Sequence, residues 1–334
     1  MKKHKNVIEG IIIIAIIIGI CLLIFPMRDI KSTTPINIVY IPKSIDETNE
    51  FWMALISGVK MASKEYNVNL TALAPKQEVD YEEQNKLIQE AIDKKPDAIM
   101  LSPLSYTENT NMAKEIKKNG IKLVFIDSEV NEDIADCIVS TDNFIAGEKM
   151  GSCMKKQLKE DTKIAVVSHV KTTSTAIDRE KGVRYGLGSD ENKIIEVVYS
   201  DSMYDKASNL TKELMEKYPD ITMIAGFNEY SSVGAANAIK ELGLEKQVKI
   251  VGFDNSLEEV ELLEEGVFDS IVIQKPFNMG YFGLEQAVKL AKGEKCSKYL
   301  DSGSELITKE NMYTTENQKM LFPFVGRQFR EIKK

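Results

Sequence analysis

From Ile36 onward, short apolar runs alternate with stretches in which apolar side chains recur every three to four positions, the signatures of buried strands and amphipathic helices. The run Ile36 to Ile41 predicts a first strand, and Phe51, Leu55, Gly58, Val59 and Ala62 share one face of the helix after it. A strand at Leu70 to Ala74 follows, then a helix from Tyr81 to Lys94, a strand at Ala98 to Leu101, a helix from Thr107 to Asn119 and a strand at Lys122 to Ile126. A short strand near Ile138 leads into a helix from Asn143 to Lys159. The alternation then restarts, with strands at Lys163 to Ser168, Ile194 to Ser200, Thr222 to Gly226, Lys249 to Phe253 and Ser270 to Ile273 and helical stretches between them. Apolar strands separated by helices predict parallel strands covered on both faces. The predicted fold class is therefore α/β, with two Rossmann-like, doubly wound parallel-sheet lobes that match in architecture and not in residue-level repeat.

The N-terminal stretch breaks the pattern. Val7 to Phe25 is nineteen residues with one charge, Glu9, close to the ~20 apolar residues a helix needs to cross a bilayer. Lys2, Lys3, His4 and Lys5 precede it, and the positive-inside bias holds such a flank in the cytoplasm. The reading is a cytoplasmic stub at 1–6, a transmembrane anchor at 7–25 and a linker at 26–35. The rest of a single-pass cell-membrane protein would then face outward. Cleavage as a signal peptide or lipidation at Cys21 would also leave the domain outside, but Ile20 stands where a lipoprotein has a small residue.

Composition narrows the function. About 300 residues beyond the anchor exceed what one core usually holds, and 43% hydrophobic with 28% charged residues is ordinary for a folded domain. A net charge of −8 argues against a phosphate-binding face, so nucleic acid is not an expected partner. Cys21, Cys137, Cys153 and Cys296 are scattered, and the two histidines are His4 and His169. No metal site and no cofactor are expected.

Open α/β sheets bind ligands outside the carboxyl ends of their strands. Here four successive apolar runs stop on a carboxylate or carboxamide: KLVFID at Asp127, MIAGFN at Asn228, IVGFD at Asp254 and SIVIQ at Gln274. Carboxylates accept from hydroxyls, and carboxamides donate and accept. Arg179, in the region after Lys163 to Ser168, adds a planar donor fork, while Phe51 and Trp52 would cover the C–H face of a sugar ring. Each polar residue is also a capping type, and Asp127 with Asp254 would be the pair for glycoside hydrolysis. Recurrence at four strand ends favours binding of a small polyhydroxylated ligand over catalysis.

At these residues the chain resembles the type I periplasmic sugar-binding proteins, the ribose-binding branch in particular, over about Ile36 to Lys309. IPKSIDETNEFW looks like the family's first ligand loop, with Asn49, Phe51 and Trp52 on its asparagine and paired aromatics. STAIDREKGVRYG carries the Arg-x-x-Gly pattern through Arg179 and Gly182; Tyr204 sits where an aromatic is usual; and GFNE, VGFDNS and VIQKPFNMG supply Asn228, Asp254 and Gln274. Ser128 departs, standing where ribose binders have arginine, and Lys43 would replace that donor, as in relatives with an Ile-Pro-Lys start. The resemblance implies a three-crossing hinge near Ser140 to Asp142, Gln274 to Phe277 and Gly303. One lobe would comprise 36–141 plus 275–303, the other 142–274 plus 304–314, with a tail at 315–334 that packs on a lobe or docks a partner. It implies ligand capture by closure for an ABC permease. A membrane histidine kinase is the alternative partner, to which the tethered domain would report as a sensor.

Overall fold

A computed structural model describes residues 35–322. The predicted anchor at 7–25 lies outside them, and among the described residues no helix is long and apolar enough to cross a membrane. In chain order the elements are β1 (Asn37–Ile41), α1 (Glu50–Glu65), β2 (Asn69–Ala72), α2 (Tyr81–Asp93), β3 (Ala98–Leu101), α3 (Thr110–Lys118), β4 (Lys122–Ile126), β5 (Cys137–Ser140) and α4 (Asn143–Lys155). They continue with β6 (Ile164–Ser168), α5 (Ser174–Leu187), β7 (Ile194–Tyr199), α6 (Tyr204–Lys217), β8 (Met223–Gly226), α7 (Glu229–Leu242), β9 (Lys249–Phe253), α8 (Leu257–Glu265) and β10 (Phe268–Ile273). The last are α9 (Pro276–Ala291), β11 (Tyr299–Asp301), β12 (Glu305–Thr308) and α10 (Thr315–Leu321).

The strands form two six-stranded sheets, ordered β11-β5-β4-β3-β1-β2 and β12-β10-β9-β8-β6-β7. Each sheet is covered on both faces. In the first lobe Trp52, Leu55 and Val59 of α1 pack with Met279, Leu284 and Val288 of α9 on one face, and Ile88, Ile92, Ala113 and Ile116 of α2 and α3 cover the other. In the second, α6, α7 and α8 bury Leu214, Ile239 and Leu263 against one face, while α4 and α5 bury Met150, Val183 and Leu187 against the other. The α4–α5 contact is close enough that a Cβ at Gly182 would collide with the Phe144 carbonyl oxygen.

Two features correct the sequence reading. The sheets are not wholly parallel, since β12 runs antiparallel to β10, with Ile271 opposite Ile307. Neither β12 nor β11 was foreseen. Both are edge strands of three or four residues with mostly exposed or half-exposed side chains, too short to show a period. The helix predicted from Thr107 begins at Thr110 because the Asn109 carboxamide accepts from the Ser105 amide (2.7 Å) and holds a turn there.

The chain passes between the sheets three times, from β5 into α4, from β10 into α9 and from β11 into β12. Two of these strands are tied side by side: Thr141 Oγ1 meets Ser302 Oγ at 3.1 Å, and the Asp142 amide donates to Asp301 Oδ1 at 3.1 Å. Of the tail, Leu321 is buried in the second lobe's core, with Met320 and Phe322 packed against it. Residues 323–334 lie outside the described part.

Candidate functional site

The carboxyl ends of β4, β8, β9 and β10 point into the space between the lobes, and the residues that follow them line a cavity of about 30 Å³. That is room for two or three waters, at roughly 10–15 Å³ each.

The second lobe holds its groups firmly. Arg179, in the second turn of α5, is 3% exposed. Its Nε donates to Asn143 Oδ1 at 2.9 Å, Nη1 donates to the Phe227 carbonyl, and the guanidinium lies over the Phe253 ring, 3.7 Å from its centroid. Asp254 sits beyond β9 at φ +91°, a conformation that costs a non-glycine residue on the order of 1–3 kcal/mol. Its Oδ1 accepts from Gln274 Nε2 (2.7 Å) and its Oδ2 from the Glu229 amide (2.9 Å). Burial pushes Asp254 above the usual carboxylate range, against the pull of Arg179. Asn228 caps α7, its Oδ1 accepting from the Ser231 amide at 3.0 Å.

In the first lobe the cation is spent on a carboxylate. Lys43 Nζ pairs with Asp127 Oδ2 at 2.7 Å, both side chains buried. Asp127 also has positive φ, +67°. Lys43 reaches across the cleft as well, to Thr175 Oγ1 at 3.5 Å. Asn49 caps α1, Oδ1 accepting from the Trp52 amide at 3.0 Å, and the Trp52 indole donates to Glu78 Oε1 at 2.6 Å.

Further bonds bridge the lobes. Ser202 Oγ donates to Glu78 Oε2 (2.7 Å), Tyr230 Oη to Asp46 Oδ2 (2.7 Å), and the Leu257 amide to Glu50 Oε1 (3.0 Å). Glu229 accepts from the amides of Glu50 (3.2 Å) and Phe51 (3.1 Å) at the start of α1, the positive end of that helix. Burial still pushes Glu229 up to about 7 and raises Glu78. Buried His169 is pushed well below its ordinary value, so it is neutral at pH 7; its Nε2 meets Thr175 Oγ1 at 2.8 Å. Apart from Asp127 Oδ2, which is ion-paired with Lys43, two buried polar atoms in the cavity's residues, His169 Nδ1 and Gln274 Oε1, have no hydrogen-bond partner.

Of the residues singled out in the sequence, Lys43, Asn49, Phe51, Trp52, Asp127, Arg179, Asn228, Asp254 and Gln274 converge on this cavity. Ser128 and Tyr204 do not line it. Ser128 Oγ turns away to donate to the Pro103 carbonyl (2.8 Å), and Tyr204 stands behind Glu229, donating to Oε1 at 2.6 Å. Sequence reasoning missed Glu78, His169, Thr175, Glu229 and Tyr230. Glu229 and Tyr230 directly follow Asn228, so the strand-end rule pointed to their neighbourhood; Glu78 sits in a loop with no period.

A periplasmic binding protein domain matches residues 38–295. The chain belongs to the periplasmic binding protein family. Its relatives include the D-ribose/D-allose-binding protein of Pseudomonas aeruginosa, 24% identical over 300 residues, covering 87% of this chain and 93% of that one. The solved structure of a sugar transporter from Clostridium phytofermentans is 49% identical, with a TM-score of 0.78 over 82% of this chain and 99% of that one. An ABC transporter solute-binding protein from Agrobacterium vitis with bound D-fucose is 28% identical, with a TM-score of 0.80 over 85% of this chain and 99% of that one. These family members are named for binding and transport, which agrees with a site built from hydrogen-bonding groups at the strand ends. Among the described residues no cluster of His, Cys, Asp and Glu is arranged to hold a metal.

Proposed function

We propose that this protein is an extracytoplasmic receptor that closes its two lobes on a monosaccharide and delivers it to an ABC importer. The observation that carries the reading is a cavity walled from both lobes by charged and carboxamide groups, two of whose buried polar atoms, Gln274 Oε1 and His169 Nδ1, have no protein partner. Buried polar groups are costly unless hydrogen-bonded, so a ligand presenting hydroxyls there gains affinity. The P. aeruginosa relative is named for ribose and allose and the A. vitis relative holds fucose, which supports a sugar. At about 30 Å³ the cavity is smaller than a sugar ring, so the ligand-bound form keeps both walls in contact with the ring while holding them further apart than they stand here.

In this proposal the three crossings act as the hinge between 36–141 plus 275–303 and 142–274 plus 304–314. The residues that contact ligand are Lys43, Asn49, Phe51, Trp52, Asp127, Arg179, Asn228, Asp254 and Gln274, joined by Glu78, His169 and Glu229. Ligand favours closure because only the closed form offers both walls.

The apolar run Val7 to Phe25 supports a fixed tether in the cell membrane, and with it a second reading in which the closed form signals to a membrane histidine kinase. Mass spectrometry of small molecules released from the purified chain tests the ligand class, and recovery of no sugar from cells grown on mixed carbohydrate counts against it. Capture from solubilised membranes with and without that sugar separates a permease partner from a kinase.

A further inference from the structure

The charged side chains lining the ligand cavity do not balance. Four are acids, Glu78, Asp127, Glu229 and Asp254, and two are cations, Lys43 and Arg179. His169 also lines the cavity but is neutral at pH 7 and adds no positive charge. Both cations are already engaged. Lys43 is paired with Asp127 at 2.7 Å, and Arg179 donates to neutral acceptors, Asn143 Oδ1 and the Phe227 carbonyl.

The other acids are held by neutral donors. Glu78 accepts from the Trp52 indole and the Ser202 hydroxyl, Glu229 from the Tyr204 hydroxyl and the amides of Glu50 and Phe51, and Asp254 from Gln274 and the Glu229 amide. The Arg179 guanidinium attracts Asp254 and Glu78 through space, yet burial raises Glu78, Glu229 and Asp254 alike. That is the response of carboxylates short of a counter-ion. A buried carboxylate is costly unless paired, so a cation arriving with the ligand offsets a cost the protein leaves standing.

A second, independent feature lies at the same corner. Gln274 is 3% exposed and lines the cavity, and its Oε1 has no partner. A carboxamide oxygen only accepts. Because Gln274 Nε2 is bonded to Asp254 Oδ1 at 2.7 Å, and Asp254 Oδ2 to the Glu229 amide at 2.9 Å, this bare acceptor stands beside the two acids. An ammonium brings three donors and no lone pair, whereas a hydroxyl brings one donor and its own lone pairs.

We propose that the ligand is an amino sugar, a monosaccharide with a primary amine in place of one hydroxyl, whose ammonium group is received by Glu229, Asp254 and Gln274. The inference narrows the sugar reading above and rests on it.

Titration calorimetry of the full chain against matched sets tests this, each set comprising an aldose, its amino counterpart with the amine at a stated carbon, and the N-acetylated form, which keeps an N–H and loses the charge. The expected result is one amine that binds about tenfold tighter or better than both its neutral partners, since a hydrogen bond to a charged group is worth more than a neutral one. The full-length variants Glu229→Gln and Asp254→Asn narrow that ratio, and having two keeps the test readable if one does not fold. An aldose or N-acetyl form that binds as tightly as every amine in its set overturns the inference and leaves the sugar reading standing. An unchanged ratio in both variants overturns the placement of the ammonium group. Binding of no member of any set overturns both readings together.

Discussion

The two walls of the cleft carry the same kinds of groups and use them differently. In the second lobe Arg179 is fixed by neutral partners, the Asn143 carboxamide, the Phe227 carbonyl and the Phe253 ring, while Asp254 is held by Gln274 and a backbone amide. In the first, Lys43 and Asp127 satisfy each other, and Glu78 completes its bonding only through Ser202 of the opposite lobe. In the proposed receptor the second wall is set before ligand arrives, and the first is finished by closure. In that proposal rigidity on one side lowers the entropic cost of binding, and opening of the Lys43–Asp127 pair on the other would admit a hydroxyl between cation and carboxylate.

The sharpest way to break this contrast is Arg179→Ala. A hydrogen bond to a charged group contributes about 1.5–3 kcal/mol, so loss of the guanidinium lowers ligand binding by about one to two orders of magnitude in a titration, and loss of its bonds to Asn143 and the Phe227 carbonyl lowers the melting temperature. Arg179→Lys keeps the charge without the fork and recovers only part of the affinity. Next is Gly182→Ala, whose methyl group meets the Phe144 carbonyl. Prying α4 from α5 costs about 1–3 kcal/mol in thermal unfolding and misplaces Arg179, whereas a substitution on the outer face of α5 does neither.

Titration distinguishes two groups within the second wall. Glu229 has its folded-state value raised to about 7 from 4.5, so the stability it contributes is fully present below pH 4.5 and is lost as pH rises through about 7. His169, depressed from 6.5, acts in the opposite sense, contributing stability above 6.5 that is lost as pH falls. Glu229→Gln removes the first component, reducing the fall in stability between pH 4.5 and 7 by no more than about 1.4 kcal/mol per pH unit, as followed by denaturant melts across that window. The smallest effect belongs to Ser128→Ala. Losing its bond to the Pro103 carbonyl costs about 1 kcal/mol of stability and leaves ligand affinity unchanged, since Ser128 does not line the cavity.

Legibility in the sequence followed physical length scale. Strands such as Lys122–Ile126 and Lys249–Phe253 could be read to the residue because sheets covered on both faces demand unbroken apolar runs. Strand-end polarity led to Asp127, Asn228, Asp254 and Gln274 because strands in these sheets deliver their ends to one edge. Edge strands β11 and β12 left too few residues for a pattern. Glu78 was hidden because its place depends on Trp52 and on Ser202 of the other lobe, pairings no local window contains. Asn49 and Asn228 show that capping does not exclude a place at the cavity: each caps a helix through Oδ1 and still lines it.

The central claim is closure on a sugar across two unequal walls. Titration calorimetry of the full chain and its Arg179→Ala variant against aldopentoses, aldohexoses and polyols tests it most directly. The account predicts saturable one-to-one binding of at least one sugar by the wild type, with a negative heat-capacity change from burial on closure, and loss of that binding in the variant. No binding of any of these ligands by the folded wild type, or equal binding by the variant, would contradict it.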